Sequence, residues 1–236
     1  MKAMLLRVGI DKGTDGALAP IFNNGSFEYI PLSEKNLKTS EKKTFSNTRG
    51  SNGIYLSHYL PKKIIDRKLH LDPEFKTFTY GDQTVKRNYL LKLKEGDLLV
   101  FYAGLTPYKN HVHEEGLYII GYFDVEMVVD FNGFSSSEKL YNCDLYPNNS
   151  HIKSETLENL VIIKGQENTS KLLDKAVLIS KKKLNKIGRG YHAVSPEMED
   201  LLGISGSIQR SIPPRFVTGS KLDNLMHLLK HGNRLN

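Results

Sequence analysis

Asp11 closes an apolar run and opens a loop that carries Lys12, Gly13, Asp15 and Gly16. A carboxylate at the end of a strand is held rigidly enough to act as a base or a ligand. Glycines that accept positive φ or close backbone approach leave amides able to meet an anion. The same residues also suit two plain turns that need Gly and Asp. His111 and His113 stand two apart in TPYKNHVHEE, and on extended backbone that spacing puts both imidazoles on one side. Such a pair can move protons near neutral pH or contact phosphate. It can also bind a metal if Asp11, Asp72 or His151 completes the shell, and it equally suits a solvated loop. No metal site is assigned. Asp72, ahead of Pro73, joins Asp11, His111 and His113 as a candidate catalytic group. Its plainer reading is a turn or helix start with Glu74 in the first turn.

Phosphate recognition falls to Arg7, Lys12, Arg189, Arg210 and Arg215. The guanidinium fork donates two parallel hydrogen bonds to one phosphate, although each Arg can instead pair with a nearby carboxylate. Phe101, Tyr102, Tyr108 and Tyr191 are the candidate walls for stacking on a base. His227 and His231, four apart, are read as cations at a helix end, where the dipole favours them.

These side chains need elements to hold them. MLLRVGI reads as a strand, DKGTDGALAP as a loop and IFNNGSFEYIPL as a hairpin around Asn24 and Gly25. Residues 33–53 are polar and Lys-rich, which predicts a mobile loop or lid. YLLKLKEGDLLVFYAGL and GLYIIGYFDVEMVVDF are rich in β-branched and aromatic residues and predict two strands flanking the His-containing segment. SSSEKLYNCDLYP and SPEMEDLL begin at Ser caps, and KLDNLMHLLKHG predicts a terminal amphipathic helix closed by Gly232. ETLENLVIIK and NTSKLLDKAVLIS mix helical and strand periods. The expected fold is α+β, a bent and mostly antiparallel sheet or partial barrel with peripheral helices, and residues 1–236 form a single domain.

A chain of 236 residues buries a core without disulfides, and a lone Cys143 can form no internal bridge and no cysteine-based zinc finger. Thirty-three Lys and Arg against 26 Asp and Glu give a formal charge of +7, which favours polyanionic partners and also suits an ordinary solvated surface. No run is long and apolar enough to span a membrane, and the start is too short for a secretion signal, so a cytoplasmic protein is expected. P-loop, Rossmann, nucleophile-elbow, kinase and zinc-deaminase motifs are absent, and no cofactor is identified.

The run Arg7 to Asp11, the Gly-rich loop and Pro20 to Gly25 resemble the opening of the nucleotide modification associated domain 3 family. His70-Leu71-Asp72-Pro73-Glu74, Gly96 to Tyr102 and Gly121 to Val125 are similar to later features of that family. Gly188-Arg189-Gly190-Tyr191 and Arg210 to Phe216 match more loosely, and tryptophan, which the family tends to carry, is absent. The resemblance implies a nucleic-acid or nucleotide partner, DNA ahead of RNA, and supplies no reaction. A shorter likeness over the two long strands, to PUA and EVE barrels, implies the alternative of a non-enzymatic reader of modified bases. An aromatic pocket without acids would favour the reader, and Asp11 beside a histidine would favour an enzyme.

Overall fold

In the computed structural model, which describes residues 1–109 and 111–231, the N-terminal apolar run forms β1 (Ala3–Arg7). The strands that follow are β2 (Ala19–Ile21), β3 (Leu32–Ser33), β4 (Leu69–His70), β5 (Thr79–Asp82), β6 (Leu98–Pro107) and β7 (Gly116–Asp130). Then come β8 (Val161–Gly165), β9 (Lys171–Leu178), β10 (Ser180–Leu184), β11 (Gly190–Val194) and β12 (Arg215–Val217). The helices are α1 (Arg87–Leu90), α2 (Ser136–Leu145), α3 (Ser150–Lys153), α4 (Pro196–Leu202) and α5 (Ser220–His231).

Eight strands make one mixed sheet whose main path runs β12, β1, β6, β7, β8, β5, with β2 added to β6 and β9 to β7. Its pairings are antiparallel except that β1 and β2 lie parallel to β6. The path ends at β12 and β5 without joining them, so the sheet stays open, an α+β arrangement rather than a barrel. β1 and β6 read as continuous apolar runs because both faces are covered, with Ala3 to Leu6 and Leu98 to Leu105 buried. β7 is long enough to serve three neighbours. It pairs with β6 and β9 over its first half and with β8 over its second, and register shifts bend it between the two. At Gly121 a Cβ would fall 2.8 Å from the Lys171 carbonyl oxygen and from the Phe75 ring, so only glycine permits this crossing.

Local chemistry explains the remaining elements. Ser135 and Glu138 form a reciprocal capping box on α2, while Ser195 caps α4, which has Pro196 in its first turn and ends at left-handed Gly203. α5 buries Leu222, Leu225, Leu228 and Leu229, and the expected closure at Gly232 lies outside the described residues. The ambiguous runs after residue 155 become strands β8 and β9, because β7 offers them an open edge. Among the described residues no helix is long and apolar enough to cross a membrane.

Two local expectations are corrected. Residues 33–53 do not form a free lid: Phe45 is buried in the core, and buried Glu41 accepts from Lys153 Nζ at 2.6 Å. Glu28 accepts from the Ser51 and Asn52 amides. Internal anchors of this kind are invisible to composition. Residues 72–78 do not start a helix either. Glu74 accepts from the Lys76 and Thr77 amides and closes a turn, and its own backbone pairs with Thr79.

Candidate functional site

Arg7 ends β1 and Arg210 lies on the loop between α4 and β12, so the parallel pairing of β1 with β6 and the return of the chain along β12 bring the two together. Asp11 fixes Arg210. Its Oδ1 accepts from the Gly13 and Thr14 amides at 2.8 and 2.9 Å, and its Oδ2 accepts from Arg210 Nε at 2.5 Å. Arg210 Nη2 also donates to the Gly9 carbonyl, which a positive φ at Gly9 turns toward it. The loop amides expected to meet an anion are therefore occupied by the carboxylate of their own loop. Burial works against ionisation of Asp11. The Arg210 charge and hydrogen bond, the Thr14 amide and Arg7 outweigh it, so its pKa lies below the ordinary carboxylate value. The loop itself is anchored by buried Asp15, which accepts from Ser33 Oγ and pairs with Arg67 at 3.2 Å.

Arg7 is the odd member. Its Nε is buried without a hydrogen-bond partner, and among the described residues it forms no ion pair. Burial, followed by the Arg210 charge, depresses its pKa, with Asp11 and Tyr102 opposing. Gly104 leaves room for it, since a Cβ there would sit 3.3 Å from Arg7 Nη2. Tyr102, buried beside the arginines, donates its hydroxyl to the Ile208 carbonyl at 2.9 Å, and burial pushes its phenol up to about 12.

Arg7 and Arg210 line two hollows at once. The larger, about 570 Å³, is walled by the Asp11 loop, Gly104, Glu115 and His192, and Lys12 spans its rim to Glu115 at 2.6 Å. Burial and then the Arg7 charge hold His192 below the usual imidazole value. The smaller, about 180 Å³, holds His70, Asp72, Tyr80, Asp82, Lys86 and His151. There Asp72 Oδ1 accepts from the Gly81 amide at 2.8 Å, and His70 Nδ1 meets Glu34 Oε2 at 2.8 Å. Burial opposes a charged His70, yet the Glu34 hydrogen bond and the nearby carboxylates raise its pKa; Glu34 in turn falls to about 2, its bonds to His70, Asn36 and Ser154 outweighing burial. Burial lowers the Lys86 pKa, with Asp82 opposing.

The other expected residues are scattered. His111 and His113 lie in the β6–β7 connection and line a separate open depression with Lys171, Lys175 and Lys230, away from Asp11 and Asp72. Arg189 is exposed in the β10–β11 turn, and Arg215 on β12 donates to the Ser207 carbonyl at 3.3 Å. Phe101 is fully buried against Phe75, Tyr80 and Phe123, so its ring faces are taken by the core, and Tyr102 is buried as well. Tyr108 packs with Phe22, Tyr59 and His58, and Tyr191 sits across from Lys183 on the β10–β11 hairpin. The four rings thus line no common wall. The acid placed beside histidines is Asp72, not Asp11. His70, Asp82, Lys86 and His192 join the site from outside the expected set, and His151, named only as a possible completing metal ligand, meets Asp72 instead of His111 and His113. One signal was present for His70, its place two residues before Asp72, although a tight turn in which the Asp72 amide donates to the His70 carbonyl at 2.9 Å, and not extended backbone, joins them.

A family model described as nucleotide modification associated domain 3 matches residues 2–193. No curated protein and no solved structure matches the chain. Arg7, Asp11, His70, Asp72 and His151 fall inside the matched span and Arg210 beyond its end. With most of its length inside that match, the chain belongs to the nucleotide modification associated domain 3 family.

Proposed function

We propose that the protein, acting as one unit over residues 1–236, binds nucleotide or nucleic acid with Arg7 and Arg210 on phosphate, DNA being the preferred polymer. The observation that carries this reading is Arg7, a partly buried guanidinium without an ion-pair partner among the described residues, beside a second guanidinium held in place by Asp11. An unpaired buried cation costs stability, and an anionic ligand supplies the missing partner. A phosphate between the two arginines leaves the larger hollow, of about 570 Å³, for the nucleoside. The family description, nucleotide modification associated, supports the same class of ligand. In this reading Asp11 is a positioning residue for Arg210.

The test is binding of labelled single-stranded DNA, duplex DNA, RNA and mononucleotides at two salt concentrations. Two phosphate contacts predict about a tenfold loss of affinity between roughly 50 and 200 mM salt. Arg7→Met and Arg210→Met should each remove most of the binding and flatten that dependence. Salt-independent binding, or binding untouched by both substitutions, would overturn the proposal.

A further inference from the structure

We infer that His70, Asp72 and His151 form a binding site for one divalent first-row transition-metal ion, held by the two histidine Nε2 atoms and Asp72 Oδ2. These three atoms lie within 4.8 Å of one another. Asp72 Oδ2 is 3.4 Å from His151 Nε2 and 3.9 Å from His70 Nε2, and neither contact is a hydrogen bond. An ion about 2.0–2.2 Å from each of three tetrahedral donors requires donor separations of roughly 3.3–3.6 Å. The Asp72–His151 pair already meets this, the Asp72–His70 pair needs a few tenths of an ångström, and the two imidazoles, whose ligand atoms lie within 4.8 Å of each other, close by turning toward the ion.

What distinguishes this cluster from a chance meeting of polar groups is that the opposite atoms of His70 and Asp72 are already engaged. His70 Nδ1 is bonded to Glu34 Oε2 at 2.8 Å, which leaves the Nε2 lone pair directed at Asp72. Glu34 is itself fixed by Ser154 Oγ at 2.9 Å and the Asn36 amide at 2.8 Å. Asp72 Oδ1 takes the Gly81 amide, leaving Oδ2 for the centre of the cluster. His151 Nδ1 lies 3.5 Å from Thr156 Oγ1, and its ring fits because Gly81 has no side chain: a Cβ there would fall 2.6 Å from His151 Cδ2. A carboxylate behind a ligating imidazole sets its tautomer and raises its basicity, the usual outer support of a metal ligand.

Without a cation, a buried carboxylate oxygen faces two ring nitrogens at distances too long for good hydrogen bonds, and a metal satisfies all three at once. Two imidazoles and one carboxylate suit Zn²⁺, Co²⁺, Fe²⁺ or Mn²⁺. Ca²⁺ and Mg²⁺ prefer all-oxygen shells. Three protein donors leave coordination positions open toward the hollow that Arg7 and Arg210 also line. Metal uptake does not depend on nucleotide binding and is measured without nucleotide.

The experiment titrates chelator-treated full-length protein with Co²⁺, following visible absorption and calorimetric heat, with a metal-free melting curve for each variant. One equivalent is expected to bind. Asp72→Asn and His151→Gln should each weaken it at least 100-fold, and Glu34→Gln, acting through His70, about 10–100-fold. His227→Ala, which breaks the exposed His227–His231 pair on α5, should leave the equivalent intact. Failure of the parent protein to bind an equivalent, unchanged binding in both ligand variants, or loss in His227→Ala would each overturn the inference. Should the ligand variants fail to fold, crystals of the parent protein soaked in Zn²⁺ decide it: an anomalous peak among the three donors supports the site, and no peak there rejects it.

Discussion

Arg210 donates its Nε–H to Asp11 Oδ2 at 2.5 Å, joining residues 199 apart in sequence and closing the C-terminal loop onto the end of β1. Asp11 does this while its other oxygen holds the Gly13 and Thr14 amides, so both oxygens are committed. Asparagine offers one acceptor oxygen. Asp11→Asn must therefore give up either the turn or the arginine. A hydrogen bond to a charged group is worth about 1.5–3 kcal/mol, and in a chain of this size each kcal/mol moves the melting temperature by about 2–4 °C. The expected outcome is a melting temperature lower by several degrees and a loss of DNA affinity of at least about tenfold, as Arg210 is released. Melting curves and binding isotherms on the same preparation check both. Retained affinity would show that Arg210 does not need to be held.

Arg7→Met separates function from stability in the opposite direction. The substitution removes a desolvated charge that forms no ion pair among the described residues and keeps a flexible apolar stem of similar reach. Melting temperature should stay the same or rise, while oligonucleotide affinity falls at least about tenfold. A sharp drop in melting temperature would show that Arg7 is structural.

The pairing of Glu41 with Lys153 predicts an acid limit for the Lys-rich loop. Burial works to raise the Glu41 pKa, but Lys153 and the Lys42 and Lys43 amides outweigh it and leave it below its usual value. A carboxylate whose folded pKa is depressed stabilises the fold above its unfolded value, near 4.5, and the contribution disappears as pH falls through the folded one. The melting-temperature gap between the parent protein and Glu41→Gln should be constant from about pH 5.5 to 8 and shrink below about 4.5. A gap that persists at pH 3 would mean that the pair contributes through packing alone.

Most of the sheet was legible because its strands carry their own signals. The turn at Gly96 and the apolar runs of β6 and β7 leave little choice of element, and the Ser135 and Ser195 caps mark their helices. The site was legible only in parts. Arg7, Asp11, Asp72 and Arg210 stood out by type and local spacing, but which of them meet is decided by long-range pairing. β1 lies parallel to β6, and that register sets Arg7 against Tyr102. His151 reaches Asp72 because α3 packs beside β5 and Gly81 has no side chain, a tertiary fact with no local trace. Phe101 and Tyr102 were ambiguous for a related reason. Both belong to a strand covered on both faces, and the same residue types serve a stacking wall and a core equally well.

Tyr102 offers the cleanest discrimination between those two roles. Its hydroxyl donates to the Ile208 carbonyl two residues before Arg210, and with its phenol pushed up to about 12 it remains a donor at any working pH. Tyr102→Phe keeps the ring and removes only that bond. If the ring stacked on a base, affinity for DNA would survive the change. If the hydroxyl positions the loop, the Ile208 carbonyl is left unsatisfied at a cost of about 1–3 kcal/mol, and Arg210 loses one of the restraints that aim it. We expect a melting temperature lower by several degrees and DNA affinity reduced about three- to tenfold. In a double-mutant cycle with Arg210→Met the two losses should be less than additive, because both act through the same guanidinium. Additive losses would place Tyr102 on a route to the ligand that does not pass through Arg210.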